Sequence, residues 1–150
     1  MAGHGFERAE PGMTVDSEVI FALAEATGSR ARDFEDFRGS MAAAWLDERR
    51  SELLYLARGV GRPLWIGTTR RELFFASTER ALEIAEQYAG LRFRKRELAE
   101  GTLVALNGPR AVRRERFVPD PTYEADPLPA VRAPAEGTFC LQRLAALAAA

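Results

Sequence analysis

What most limits the fold open to this chain is the crowding of four short apolar runs between Ser40 and Ser77. The runs are Ser40–Leu46, Leu53–Ala57, Leu64–Gly67 and Leu73–Ser77. Asp47-Glu48-Arg49-Arg50 makes a charged turn after the first, Gly59, Gly61 and Pro63 break the second link, and Thr69 to Glu72 forms the third. Such runs, bounded by breakers, read as strands. Parallel neighbours need crossovers of about a dozen residues or more, so the pairing is antiparallel. Met41-Ala42-Ala43-Ala44-Trp45-Leu46 is apolar on both faces and calls for cover on both sides.

Helical periodicity flanks this strand cluster. From Asp16 onward Val19, Ile20, Leu23 and Ala24 share a stripe, Glu18 and Glu25 lie off it, and Gly28 stands where a helix stops. Ser29 is placed to cap a second short helix, Arg30 to Arg38, with Phe34 and Phe37 on one face and Gly39 at its end. Ser77 or Thr78 caps a helix running to about Tyr88, with Ala81, Leu82, Ile84 and Ala85 apolar. Further strands follow at Leu91–Leu98, Thr102–Leu106 and Ala111–Phe117. This order predicts a layered α+β fold.

Residues 1–13 are polar, glycine-rich and irregular, and the domain proper is expected over 14–118. Pro119, Pro121, Pro127, Pro129 and Pro134 then mark 119–137 as an extended, semi-rigid linker. Residues 138–150 read as an alanine-rich amphipathic helix with Leu141, Leu144 and Leu147 on one side. Apolar residues at 47%, charged residues at 29% and a net charge of −1 exclude a disordered chain and a strongly basic nucleic-acid binder. His4 and Cys140 are the single histidine and cysteine. They cannot form a three- or four-ligand metal cluster, and one cysteine allows no internal disulfide. No apolar run approaches the roughly 20 residues of a membrane span, and Met1 to Pro11 has no apolar signal-peptide core. A soluble cytoplasmic protein without metal or cofactor is the expectation.

Few residues carry chemistry. Asp16 stands at the entrance of the first helix. Its carboxylate can cap that helix, for about 1 kcal/mol, or face outward to hold a ligand's ammonium group. Cys140, on an apolar stretch without a neighbouring histidine, reads as structural, and a lone His4 builds neither a triad nor a metal site. Arg92-Phe93-Arg94-Lys95-Arg96 and Arg110–Arg116 give a local basic excess that phosphates would favour. The alternation in Arg92–Leu98 is also that of a strand with a charged, solvated edge that blocks unwanted pairing.

Val15-Asp16-Ser17-Glu18-Val19-Ile20 resembles the Asp-Ser/Thr-Glu-Val-Ile element of class II (N-terminal nucleophile) glutamine amidotransferases. Phe37-Arg38-Gly39-Ser40, Leu54–Gly59, Arg62-Pro63-Leu64-Trp65-Ile66-Gly67 and Phe74–Leu82 follow in the order of that family. The likeness, to the glutaminase domains of glucosamine-6-phosphate synthase and amidophosphoribosyltransferase, runs from Asp16 to about Phe117. It implies an αββα N-terminal-nucleophile-hydrolase-like sandwich with antiparallel sheets, here incomplete, in a family that hydrolyses glutamine and passes its ammonia to an acceptor. The family's nucleophile is an N-terminal cysteine whose own α-amino group is the base. An Arg-containing loop holds the glutamine carboxylate, and an Asn-Gly pair forms the oxyanion hole. By this resemblance Asp16 binds the α-amino group of glutamine.

The family's cysteine, Arg-Trp loop and Asn-Gly pair all precede the Asp-Ser-Glu-Val-Ile element. Here none of the fifteen residues before Asp16 is cysteine, and Asn107-Gly108 stands where a turn between strands is expected. The expectation is the C-terminal half of a glutaminase domain with no catalytic residue of its own, inactive alone. L-Glutamine becomes its ligand only when a Cys-bearing half, for instance on a complementing chain, completes the site; association into a homo-oligomer is the other partner expected. Two alternatives stand beside this: a non-catalytic binding or assembly module on the same half-sandwich, and an RNA-binding domain using the Arg92–Arg116 face.

Overall fold

The computed structural model describes residues 18–124. Asp16, His4 and Cys140, most of the proline-rich stretch and the helix expected at 138–150 lie outside them. The elements in order are α1 (Glu18–Thr27), a 3-10 helix (Ala31–Asp36), β1 (Ala42–Asp47), β2 (Arg50–Arg58), β3 (Trp65–Thr68), β4 (Leu73–Ala76), α2 (Glu79–Ala89), β5 (Arg94–Glu97), β6 (Thr102–Asn107) and β7 (Arg110–Arg116). The fold is α+β. Two antiparallel sheets form, one of order β1-β2-β6-β7 and one of order β4-β3-β5. Asn107 pairs with Arg110, so Gly108 does sit in a tight hairpin turn.

β2 and β6 form the centre, in register from Leu54↔Leu106 to Arg58↔Thr102. Successive strand side chains point to opposite faces, and here both faces are covered. Leu53, Tyr55, Ala57, Leu103 and Ala105 join Ala24 of α1 and Ala31 and Phe34 of the 3-10 helix in one core. Leu56, Val104 and Leu106 join Leu64, Ile66 and Leu98 in a second. The four-stranded sheet thus carries α1 and the 3-10 helix on one face and the three-stranded sheet on the other. α2 packs on the three-stranded sheet, buries Leu82, and is anchored by Glu86, which accepts from the Phe93 amide at 2.5 Å and from Lys95 Nζ at 2.8 Å. The Lys95 ammonium and the Phe93 amide lower the Glu86 carboxyl below its ordinary range, and Glu86 raises Lys95 in turn.

Phe34, 1% exposed, anchors the first core, with ring centroids 5.7 Å from Phe37, 5.8 Å from Trp45 and 5.9 Å from Phe117. The three-residue turn of a 3-10 helix is what puts Phe34 and Phe37 on one side. On the other sheet Gly67 fits beneath Phe93: a Cβ there would come within 3.0 Å of that ring, which stacks on Phe74 at 4.4 Å.

Two expectations are corrected. β1 is not covered on both sides, because it is the outer strand of its sheet; Ala42 and Leu46 are exposed, Leu46 at 66%. Alanines leave little apolar area in water, and Trp45 is satisfied by stacking on Tyr55 at 5.5 Å. Ser29 does not cap the second helix, whose N-cap is Arg30 without a side-chain bond. Ser29 is instead buried in the left-handed region at φ 57°. Its Oγ accepts from Trp45 Nε1 at 3.3 Å and its carbonyl accepts from Arg113.

Beyond β7 the chain stays packed through Tyr123. The Val118 amide donates to Glu35 Oε1 at 3.0 Å, and Asp120 is buried. Truncating the centre of the aromatic cluster, Phe34→Ala, is expected to cost about 3–5 kcal/mol in urea unfolding. Phe21→Ala, at a ring 44% exposed on α1, should cost much less; equal losses would show that the cluster is not the anchor.

Candidate functional site

One end of the sandwich carries a cleft of about 560 Å³ where α1, the start of β1, the loop after β2 and the start of α2 converge. Ile20 lines it from α1, Phe37, Arg38, Ser40, Met41 and Ala42 from the approach to β1, Arg62 and Pro63 from the loop, and Ser77 and Thr78 from the start of α2. Its volume is that of an ordinary small-molecule site.

Backbone bonds clamp the two arginine-bearing segments together. Ser40 and Val60 form a parallel bridge, the Met41 amide donates to the Val60 carbonyl at 3.1 Å, and the Gly59 amide returns to Met41 at 2.9 Å. Arg62 Nε donates to Ser40 Oγ at 3.3 Å. Thr78 Oγ1 accepts from the Ala81 amide at 3.2 Å, capping α2 at the rim. Among the described residues the lining carries two guanidiniums and three hydroxyls but no carboxylate.

Asp120 holds the wall from behind. One carboxylate oxygen accepts from the Gly39 amide at 2.8 Å; the other accepts from the Thr122 amide at 2.9 Å and its hydroxyl at 2.6 Å, with Arg38 3.9 Å away. The Thr122 hydroxyl, the two amides and the Arg38 charge lower its carboxyl from 3.8 to about 2.

The structure distributes the other candidates widely. Asp16 lies outside the described residues, two positions before Glu18 in the sequence. The basic stretches are edge strands of different sheets, β5 and β7. Part of their charge is spent internally: Lys95 on Glu86, Arg116 on Thr102 Oγ1 at 2.8 Å, and Arg113 over the Tyr55 ring at 5.8 Å. Among the described residues no group of three or more His, Cys, Asp or Glu is placed to hold a metal, and no helix is long and apolar enough to cross a membrane.

Residues 6–84, more than half of the chain, match the sequence model of the glutamine amidotransferase domain. The chain belongs to the glutamine amidotransferase domain family. No curated protein matches it. The matched segment spans Asp16, α1, both clamped segments of the cleft and the start of α2. Phe37–Ser40 and Arg62–Gly67 are family-like fragments in the sequence, but nothing local gives Arg38 or Arg62 a role, because the bonds that join the two segments are long-range. Asp120 was missed too, since it stands in a stretch whose prolines suggest a linker.

Asp120 gives this family member a defined acid response. A carboxyl held at about 2 in the fold, against 3.8 ordinarily, contributes stability in full above the ordinary value and loses it as pH falls toward about 2. Asp120→Asn should therefore melt below wild type at pH 7, with the gap closing between 3.8 and about 2. A gap that stays constant on acidification would rule out this role.

Proposed function

We propose that the chain is the C-terminal portion of a class II glutamine amidotransferase domain, similar to the glutaminase domain of glucosamine-6-phosphate synthase. In this reading the two stacked sheets, with α1 and α2 outside them, are part of an N-terminal-nucleophile-hydrolase sandwich. The observation that carries the reading is the family match over the Asp16–Ile20 element, together with the cleft that Ile20 lines. Asp16, on the approach to α1, receives the α-amino group of glutamine as an ion pair.

In such a domain a cysteine thiolate attacks the glutamine amide carbon, ammonia leaves, and water releases glutamate from the thioester. Residues 1–15 contain no cysteine, so the nucleophile, its amino-group base and the oxyanion hole come from another segment. This chain supplies the substrate-facing wall and no bond-making group. Its cytoplasmic setting and its need for a complementing segment belong to the same proposal.

The test is glutamate release from L-glutamine. The chain alone should give none, and the chain joined to the Cys-bearing N-terminal half of a class II glutaminase domain should give activity. In that assembly Asp16→Asn should raise KM by about tenfold or more, the loss of one charge-assisted contact. Hydrolysis by the chain alone, or an assembly indifferent to Asp16→Asn, would overturn the reading; a stably folded chain that never complements would favour an assembly module.

A further inference from the structure

We infer that the corner formed by Arg38, Ser40 and Arg62 is a preformed seat for a small anion, the carboxylate or phosphate group of an organic ligand. This goes beyond the proposed glutaminase role, in which the family's substrate carboxylate is held by an arginine of an upstream loop and neither of these residues has a part.

The two arginines are not ordinary surface charges. Arg62 spends only its Nε on Ser40, which leaves both terminal amino groups of its fork unpaired among the described residues. Arg38 is 67% exposed and reaches Asp120 only at 3.9 Å, while the carboxylate oxygen it approaches already accepts two bonds from Thr122. Both line the same concavity, in which no carboxylate stands among the described lining residues. A guanidinium presents donors in a fixed fork that matches carboxylate and phosphate oxygens in pairs.

The seat is also rigid. The backbone bonds between Met41, Gly59 and Val60 fix the spacing of the two segments, and a Cβ on Gly59 would press to 3.1 Å of Met41 Cβ. Gly61, at φ 71°, has the Tyr123 ring packed where its side chain would be. Asp120 and Tyr123 thus buttress the two loops from the same short segment. Backbone segments held in place before binding leave only the two arginine side chains to be ordered when the anion arrives, which favours affinity.

The test uses the full chain and amide chemical shifts, with inorganic phosphate and glutarate as separate probes and L-glutamine as a third. Phosphate, glutarate or both should shift the amides of residues 38–41 and 59–62, and the tighter of the two identifies the class of anionic group. Arg38→Gln and Arg62→Gln should each weaken binding by about tenfold, while Arg110→Gln, on the edge strand β7, should leave it unchanged. Binding by neither anion, undiminished binding in the double variant, or shifts centred on β5 and β7 would overturn the seat. A response to phosphate or glutarate without one to L-glutamine keeps the seat and separates it from the glutamine reading, which gives L-glutamine a complete site only in the joined assembly.

Discussion

Every layer of this molecule depends on the pairing of β2 with β6. The two strands are remote in sequence, and between them the chain builds the whole three-stranded sheet and α2. Closing that loop costs chain entropy, and what offsets it is burial on both faces. Leu103, Val104, Ala105 and Leu106 are each about 1% exposed, alternately serving the first and second cores. Without this pair α1 and the 3-10 helix have no platform, and β3 has nothing to stack on.

The cleft is a by-product of the same pairing. At the end where β2 runs out, Gly59 and Val60 reach across to Ser40 and Met41, so the strand that organises the core also brings Arg62 against Ser40 in the cleft that Arg38 lines. Nearby, Arg58 donates to Glu97 at 2.7 Å and to the Leu98 carbonyl, tying β2 to the segment that follows β5. A site whose walls continue the central strand inherits its rigidity, whereas a site on free loops would be ordered only by its ligand.

Much of this order was legible in the sequence because its signals are local. Each apolar run between Ser40 and Ser77 became a strand, and Thr78 caps α2, which ends at Ala89, one residue past the expected Tyr88. The failures involve what local pattern does not contain. Nothing in Met41–Leu46 says which strand will stand outermost, so its two-sided apolarity misled. Ser29 looked like a cap, yet Trp45 and Arg113, both remote in sequence, hold it in a conformation a serine rarely adopts. The Arg38–Arg62 corner and the Asp120 clamp are likewise long-range events. Membership of the amidotransferase family was readable from ordered fragments; the charge of the cleft was not.

The contact between Gly61 and Tyr123 bears on where a shortened version of the protein should end. Composition changes after Phe117, and a truncation guided by it would stop there. Such a cut removes the acceptor of the Gly39 amide and the ring that fills the space beside Gly61, uncovering both loops of the cleft at once. The smallest piece that keeps the cleft's walls supported runs through Tyr123, so the first prolines belong to the folded body.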